Sequence, residues 1–124
     1  MDKKRPIYLA LHLIRLPLPG LVSILHRISG MLLFMALPLL LLMLQYSLGS
    51  VESYTELTSV LQNPFIKLIL LVLLWAFLHH LCAGMRYLAI DMDCCAGQAQ
   101  ANASSRWVLF VSLGLTVLIG MQLW

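Results

Sequence analysis

The chain has 124 residues, of which 61% are hydrophobic and 10% charged, with eight Lys and Arg against five Asp and Glu for a net charge of +3. A water-soluble globule of this size would lack the polar groups to cover its surface, which excludes a soluble enzyme or a nucleic-acid-binding module. The composition is that of a single small membrane domain spanning residues 1–124.

The apolar residues fall into three blocks separated by polar stretches, each near the ~20 residues that cross a bilayer, so the expected fold is all-α and integral to the membrane with three transmembrane helices. Residues 1–20 form a basic leading segment, "MDKKRP" followed by a stretch broken by Pro17, Pro19 and Gly20. Those breaks, and the lack of a small-residue cleavage site, argue against a signal peptide. No Arg- and Ser-rich transit segment is present, which favours a bacterial inner membrane. The first helix is expected at about 21–48, with tilt or a kink at Pro38. The polar segment "SVESYTELTSVLQN" then reads as a loop. A second helix is expected at about 64–87 and a third at about 106–124, the latter bracketed by Trp107 and Trp124 as interfacial anchors.

Positive residues near the helix ends set the orientation. Lys3, Lys4, Arg5 and Arg15 precede the first helix, and Arg86 and Arg106 bracket the second loop, whereas the first loop carries Glu52 and Glu56 and no cation. The N-terminus and the loop around Asp91 and Asp93 should therefore be cytoplasmic, and the C-terminus external. Lys67 can snorkel to the outer interface. Cys82, Cys94 and Cys95 do not have the spacing of an iron–sulfur site and read as structural or incidental.

Ionisable groups inside the spans are scarce, and burial of each must be offset by a partner. They are His26 and Arg27 near the start of the first helix and His79, His80 and Arg86 near the end of the second. At 1.5 Å per residue, His80 lies ~9 Å deeper than Arg86 and His26 ~8 Å in from Leu21, so the two clusters share one slab on the cytoplasmic side. An intramembrane imidazole can simply pack against a neighbouring carbonyl. Alternatively, with Gly84 one turn from His80 leaving room for a flat group, a neutral imidazole suits haem iron, and His26 and Arg27 lie at the depth of the propionates. Ser23 and Arg27, four apart on one face, can grip a quinone carbonyl, although a serine there can also bond back to its own helix. Asp91 falls beyond the expected end of the second helix, either as a solvated loop carboxylate or as a proton-handling partner at the quinone mouth.

The pattern of Arg5-Pro6, "SILHRISG" and "HLCAGMRYLAID" resembles the cytochrome b556 family of succinate dehydrogenase membrane anchors over nearly the whole chain. Arg5, Pro6, Ser23, His26, Arg27, Ser29, Gly30, His80, Gly84, Arg86 and Asp91 fall on that family's two signatures. The resemblance implies a three-helix anchor that pairs with a second three-helix anchor subunit, shares one haem b with it, and docks an iron–sulfur subunit and a flavoprotein subunit on the cytoplasmic face. It implies that His80 is the axial ligand of the haem iron, that His26 and Arg27 lie near the haem, and that Ser23 and Arg27 bind ubiquinone. The activity implied is electron transfer from succinate oxidation to ubiquinone within the complex, with no dehydrogenase activity in this chain alone. Tyr87 and Ile90 depart from the family's usual residues. A rival reading is a stand-alone bis-histidine cytochrome b in which His26 and His80 ligate one iron; it leaves Ser23 and Arg27 unexplained. A cofactor-free scaffold explains the helices and none of the clustered polar residues.

Overall fold

The computed structural model describes residues 16–92 and 97–124 and contains four α-helices: α1 (Leu18–Ser47), α2 (Val51–Leu61), α3 (Pro64–Asp91) and α4 (Gln98–Leu123). No strand occurs among the described residues. The helices α1, α3 and α4 are each long and apolar enough to cross a membrane, which gives the three spans expected. Lys3, Lys4, Arg5, Pro6, Arg15, Asp93, Cys94 and Cys95 lie outside the described residues.

Proline sets the start of two of these helices. Pro19 lies in the first turn of α1 and Pro64 in that of α3, where a missing N–H costs nothing. Asn63 caps α3, its Oδ1 accepting from the Phe65 N–H at 2.9 Å. The helix α1 runs through Pro38 without a break, leaving the Phe34 carbonyl without its helical donor.

The segment expected to be a loop is instead the helix α2. Ser50 and Ser53 form a reciprocal cap, the Ser53 N–H donating to Ser50 Oγ at 3.1 Å and the Ser50 N–H to Ser53 Oγ at 2.9 Å. Glu52 lies in the first turn, where a carboxylate favours the helix N-terminus. At 11 residues it is about 16 Å long, half a bilayer core, so it connects the spans rather than adding one. Two other bounds also differ from expectation. Asp91 closes α3 instead of lying in a loop, and α4 begins at Gln98 instead of near 106. Hydropathy marks where a helix leaves the apolar layer, whereas the helix itself continues until its backbone is broken, here past Leu88 and before Ser105.

The central helix is α3, which packs along both α1 and α4. Most of the buried residues recur at heptad-like intervals: Val22, Ser29 and Ala36 on α1; Ala76, His79, Ala83 and Arg86 on α3, with Leu78 beside them; Ser105, Val108 and Ser112 on α4. Most are small, which lets backbones approach closely where lipid gives no hydrophobic drive for helix association. At Gly120 a Cβ would come within 2.9 Å of Leu71 Cδ1. The buried hydroxyls of α4 return to their own helix: Ser105 donates to the Ala101 carbonyl at 2.8 Å, Ser112 to Leu109 at 3.2 Å and Thr116 to Ser112 at 2.7 Å. Cys82 packs against the apolar centre formed by Val22, Ala83 and Val108. Phe34, Phe65 and Phe110 stay exposed on the outer faces, as a lipid-facing surface requires.

Candidate functional site

Two helices each carry the sequence His-x-x-x-Gly: His26 and Gly30 on α1, His80 and Gly84 on α3. Because the helices run antiparallel, each glycine receives the other helix's imidazole. A Cβ at Gly30 would lie 2.8 Å from His80 Cε1, and a Cβ at Gly84 would lie 3.7 Å from His26 Nε2. The two rings stack, with centroids 4.1 Å apart and planes within 8°. Tyr87, two turns on from His80, meets the His26 ring edge-on at 5.3 Å. The gap beside Gly84, read from sequence as room for a ligand next to His80, thus accommodates His26 within the chain. Gly30 is the residue that gives His80 its space.

The His80 ring is held at one nitrogen. Its Nδ1 lies 3.1 Å from the His26 carbonyl and 3.3 Å from Ser29 Oγ. A carbonyl only accepts, so Nδ1 carries the proton and donates, and the lone pair is left on Nε2. No hydrogen bond reaches Nε2 among the described residues. A neutral imidazole fixed through Nδ1–H to a backbone carbonyl, with Nε2 free, is the form that ligates a metal. His80 is half-buried.

The neighbouring histidine is different. His79 is fully buried, 5.3 Å from the Trp75 ring, and neither of its nitrogens has a hydrogen-bond partner among the described residues. His79 is packed between helices with no access for a cofactor.

Adjacent residues on α1 are split between inside and outside. His26 turns inward, whereas Arg27 is exposed and forms no hydrogen bond or ion pair among the described residues. Ser23 is half-buried and also makes no hydrogen bond among the described residues, although Ser29 and Ser47 on the same helix bond back to carbonyls at 2.9 and 2.7 Å. A free hydroxyl and a free guanidinium one turn apart are thus available to an external acceptor. Arg86 is used internally: its Nε donates to Ser104 Oγ at 2.9 Å and its Nη2 to the Ala101 carbonyl at 3.2 Å, tying the end of α3 to the start of α4. Asp91 is exposed at the end of α3. The sequence reading missed the roles of Ser29 and Gly30 toward His80 and the contact of Tyr87 with His26. The repeated His-x-x-x-Gly on two antiparallel spans was the signal that could have found the first.

The residues present fit a haem held from one side. His26 and His80 lie face to face, so their in-plane lone pairs are not directed at a common point between the rings. Among the described residues, His80 is the imidazole whose Nδ1 is committed to a carbonyl and whose Nε2 is left for such a group.

Among known proteins, the model of the succinate dehydrogenase/fumarate reductase transmembrane subunit matches residues 1–119. The chain is 38% identical to the succinate dehydrogenase cytochrome b556 subunit of Coxiella burnetii over 125 residues, covering 100% of both chains. It is 32% identical to that of Paracoccus denitrificans over 114 residues, covering 92% of this chain and 88% of the relative. With that of Rickettsia felis it shares 29% identity over 119 residues, 94% and 90% of the two chains.

Proposed function

The chain belongs to the family of succinate dehydrogenase/fumarate reductase transmembrane subunits, and from that premise we propose that it is the haem b-binding anchor that passes electrons from succinate oxidation to ubiquinone. The observation that carries this reading is the His80 ring, committed at Nδ1 to the His26 carbonyl and free at Nε2. In it, His80 would hold the haem iron through its free Nε2. A second anchor subunit supplies the other ligand, which agrees with the face-to-face packing of His26 on His80. A haem b bound there supplies a one-electron redox centre within the membrane.

The remaining residues act by position and charge. Arg27, exposed at the depth of His26, offers a cation to the propionates, and the His26 side chain lines the same slab. The Ser23 hydroxyl and the Arg27 guanidinium donate hydrogen bonds to a quinone carbonyl oxygen and stabilise the negative charge that develops there as electrons arrive. Protons reach that oxygen from the cytoplasmic side. An iron–sulfur subunit and a flavoprotein subunit dock on the cytoplasmic face and carry out succinate oxidation, so catalysis belongs to the complex. The whole sits in a bacterial inner membrane with the N-terminus cytoplasmic.

Purification of the tagged chain in mild detergent tests the reading. A second small membrane subunit and two large soluble redox subunits should accompany it, together with haem. Recovery of the chain alone with haem would favour the stand-alone cytochrome, and recovery without haem would favour a scaffold.

A further inference from the structure

Ser29 is fully buried beside the proposed ligand, and its hydroxyl does two things at once. It donates to the His26 carbonyl at 2.9 Å, as a serine inside a membrane helix normally satisfies itself. Its remaining lone pairs face His80 Nδ1 at 3.3 Å, the same nitrogen that lies 3.1 Å from the His26 carbonyl. The Nδ1–H is therefore shared between two acceptors that are themselves hydrogen-bonded to each other. Gly30 lets the ring come this close, since a Cβ there would stand 2.8 Å from Cε1.

An imidazole on two rotatable bonds has two tautomers and several orientations. Two acceptors on one edge select a single tautomer and a single ring position. They also draw electron density into the ring and raise its basicity at Nε2. We infer that Ser29 is a positioning residue for the haem, fixing the His80 tautomer and tuning the iron through it, an inference that rests on the reading of His80 as the axial ligand.

The experiment compares Ser29→Ala and Ser112→Ala with the parent in the intact, purified complex. Ser112 is an equally buried serine bonded only within α4. Two quantities are read: the rate of haem transfer to excess apomyoglobin and the reduction potential of the haem. Loss of an outer partner of a metal-binding histidine costs 10–100-fold in affinity; because the His26 carbonyl remains, Ser29→Ala should fall at about tenfold. Its potential should move upward, since a less basic imidazole stabilises the oxidised iron less. Ser112→Ala should change neither, and both variants should keep the parental subunit ratio. Parental haem retention and potential in Ser29→Ala would overturn the inference. Loss of haem only in proportion to loss of assembled complex, or equal changes in Ser112→Ala, would also overturn it and leave Ser29 as packing. His80→Ala separates this from the parent reading: if it retains the spectrum of a haem with two axial imidazoles, His80 is not the ligand and the functional reading itself fails.

Discussion

Gly30→Ala places a methyl group where the His80 ring now lies. The added carbon would be 2.8 Å from Cε1 and 3.2 Å from Nδ1, against an ordinary carbon contact of about 3.5 Å or more, so the ring or helix α1 must give way by roughly 0.7 Å. Taken along the bond, a displacement of that size carries the 3.1 Å contact between Nδ1 and the His26 carbonyl beyond hydrogen-bonding range. Overpacking of this kind costs about 1–3 kcal/mol, and the freed imidazole loses its tautomer selection as well. The expected result is a haem-to-flavin ratio well below parental in the purified complex, with a lowered Tm. Gly84→Ala is the matched comparison: its Cβ would meet His26 Nε2 at 3.7 Å, an ordinary contact, so the bundle should keep its parental Tm. A Gly30→Ala complex with parental haem and Tm would refute the argument, because it would mean that the His80 ring does not occupy the space beside Gly30.

Arg86→Ala removes the guanidinium that bonds Ser104 and the Ala101 carbonyl, and hydrogen bonds to a charged group are worth about 1.5–3 kcal/mol, so thermal unfolding of the complex should come earlier while the haem spectrum is kept. Arg27→Lys should lower quinone reductase activity more than haem content, since an ammonium is a compact point charge without the rigid planar fork that holds two acceptors in fixed geometry; equal losses would mark a purely structural arginine. Ser23→Ala should slow quinone reduction about tenfold by removing a donor worth roughly 1–3 kcal/mol, while succinate oxidation with an artificial acceptor persists. A parental rate across quinone concentrations would show that Ser23 takes no part.

The three spans were legible because each carries an apolar run matched to the bilayer. The helix α2 was not, since its polar composition resembles a loop; its marks were local, in the Ser50 and Ser53 cap and in Glu52 at the first turn. Hydropathy also could not place Asp91 inside α3 or Gln98 at the start of α4, because helical hydrogen bonding does not stop at the edge of the apolar layer. At the site, the common depth of His26 and His80 followed from rise per residue. Which glycine meets which ring did not, because that depends on the rotation of α1 against α3. Spacing pairs Gly84 with His80 on one helix, whereas antiparallel packing pairs Gly84 with His26 and Gly30 with His80. Likewise, spacing put His26 and Arg27 together as neighbours, and helix rotation sends one inward and the other out.

The reduced absorbance spectrum of the complex carrying His80→Ala, set against His79→Phe, tests the central claim most directly. Both His79 nitrogens are buried without a hydrogen-bond partner among the described residues, so another aromatic ring removes no hydrogen bond there. The account predicts that His80→Ala abolishes the spectrum of a haem with two axial imidazoles and that His79→Phe retains it. Retention in His80→Ala with loss in His79→Phe would contradict the assignment of the ligand and the reading built on it.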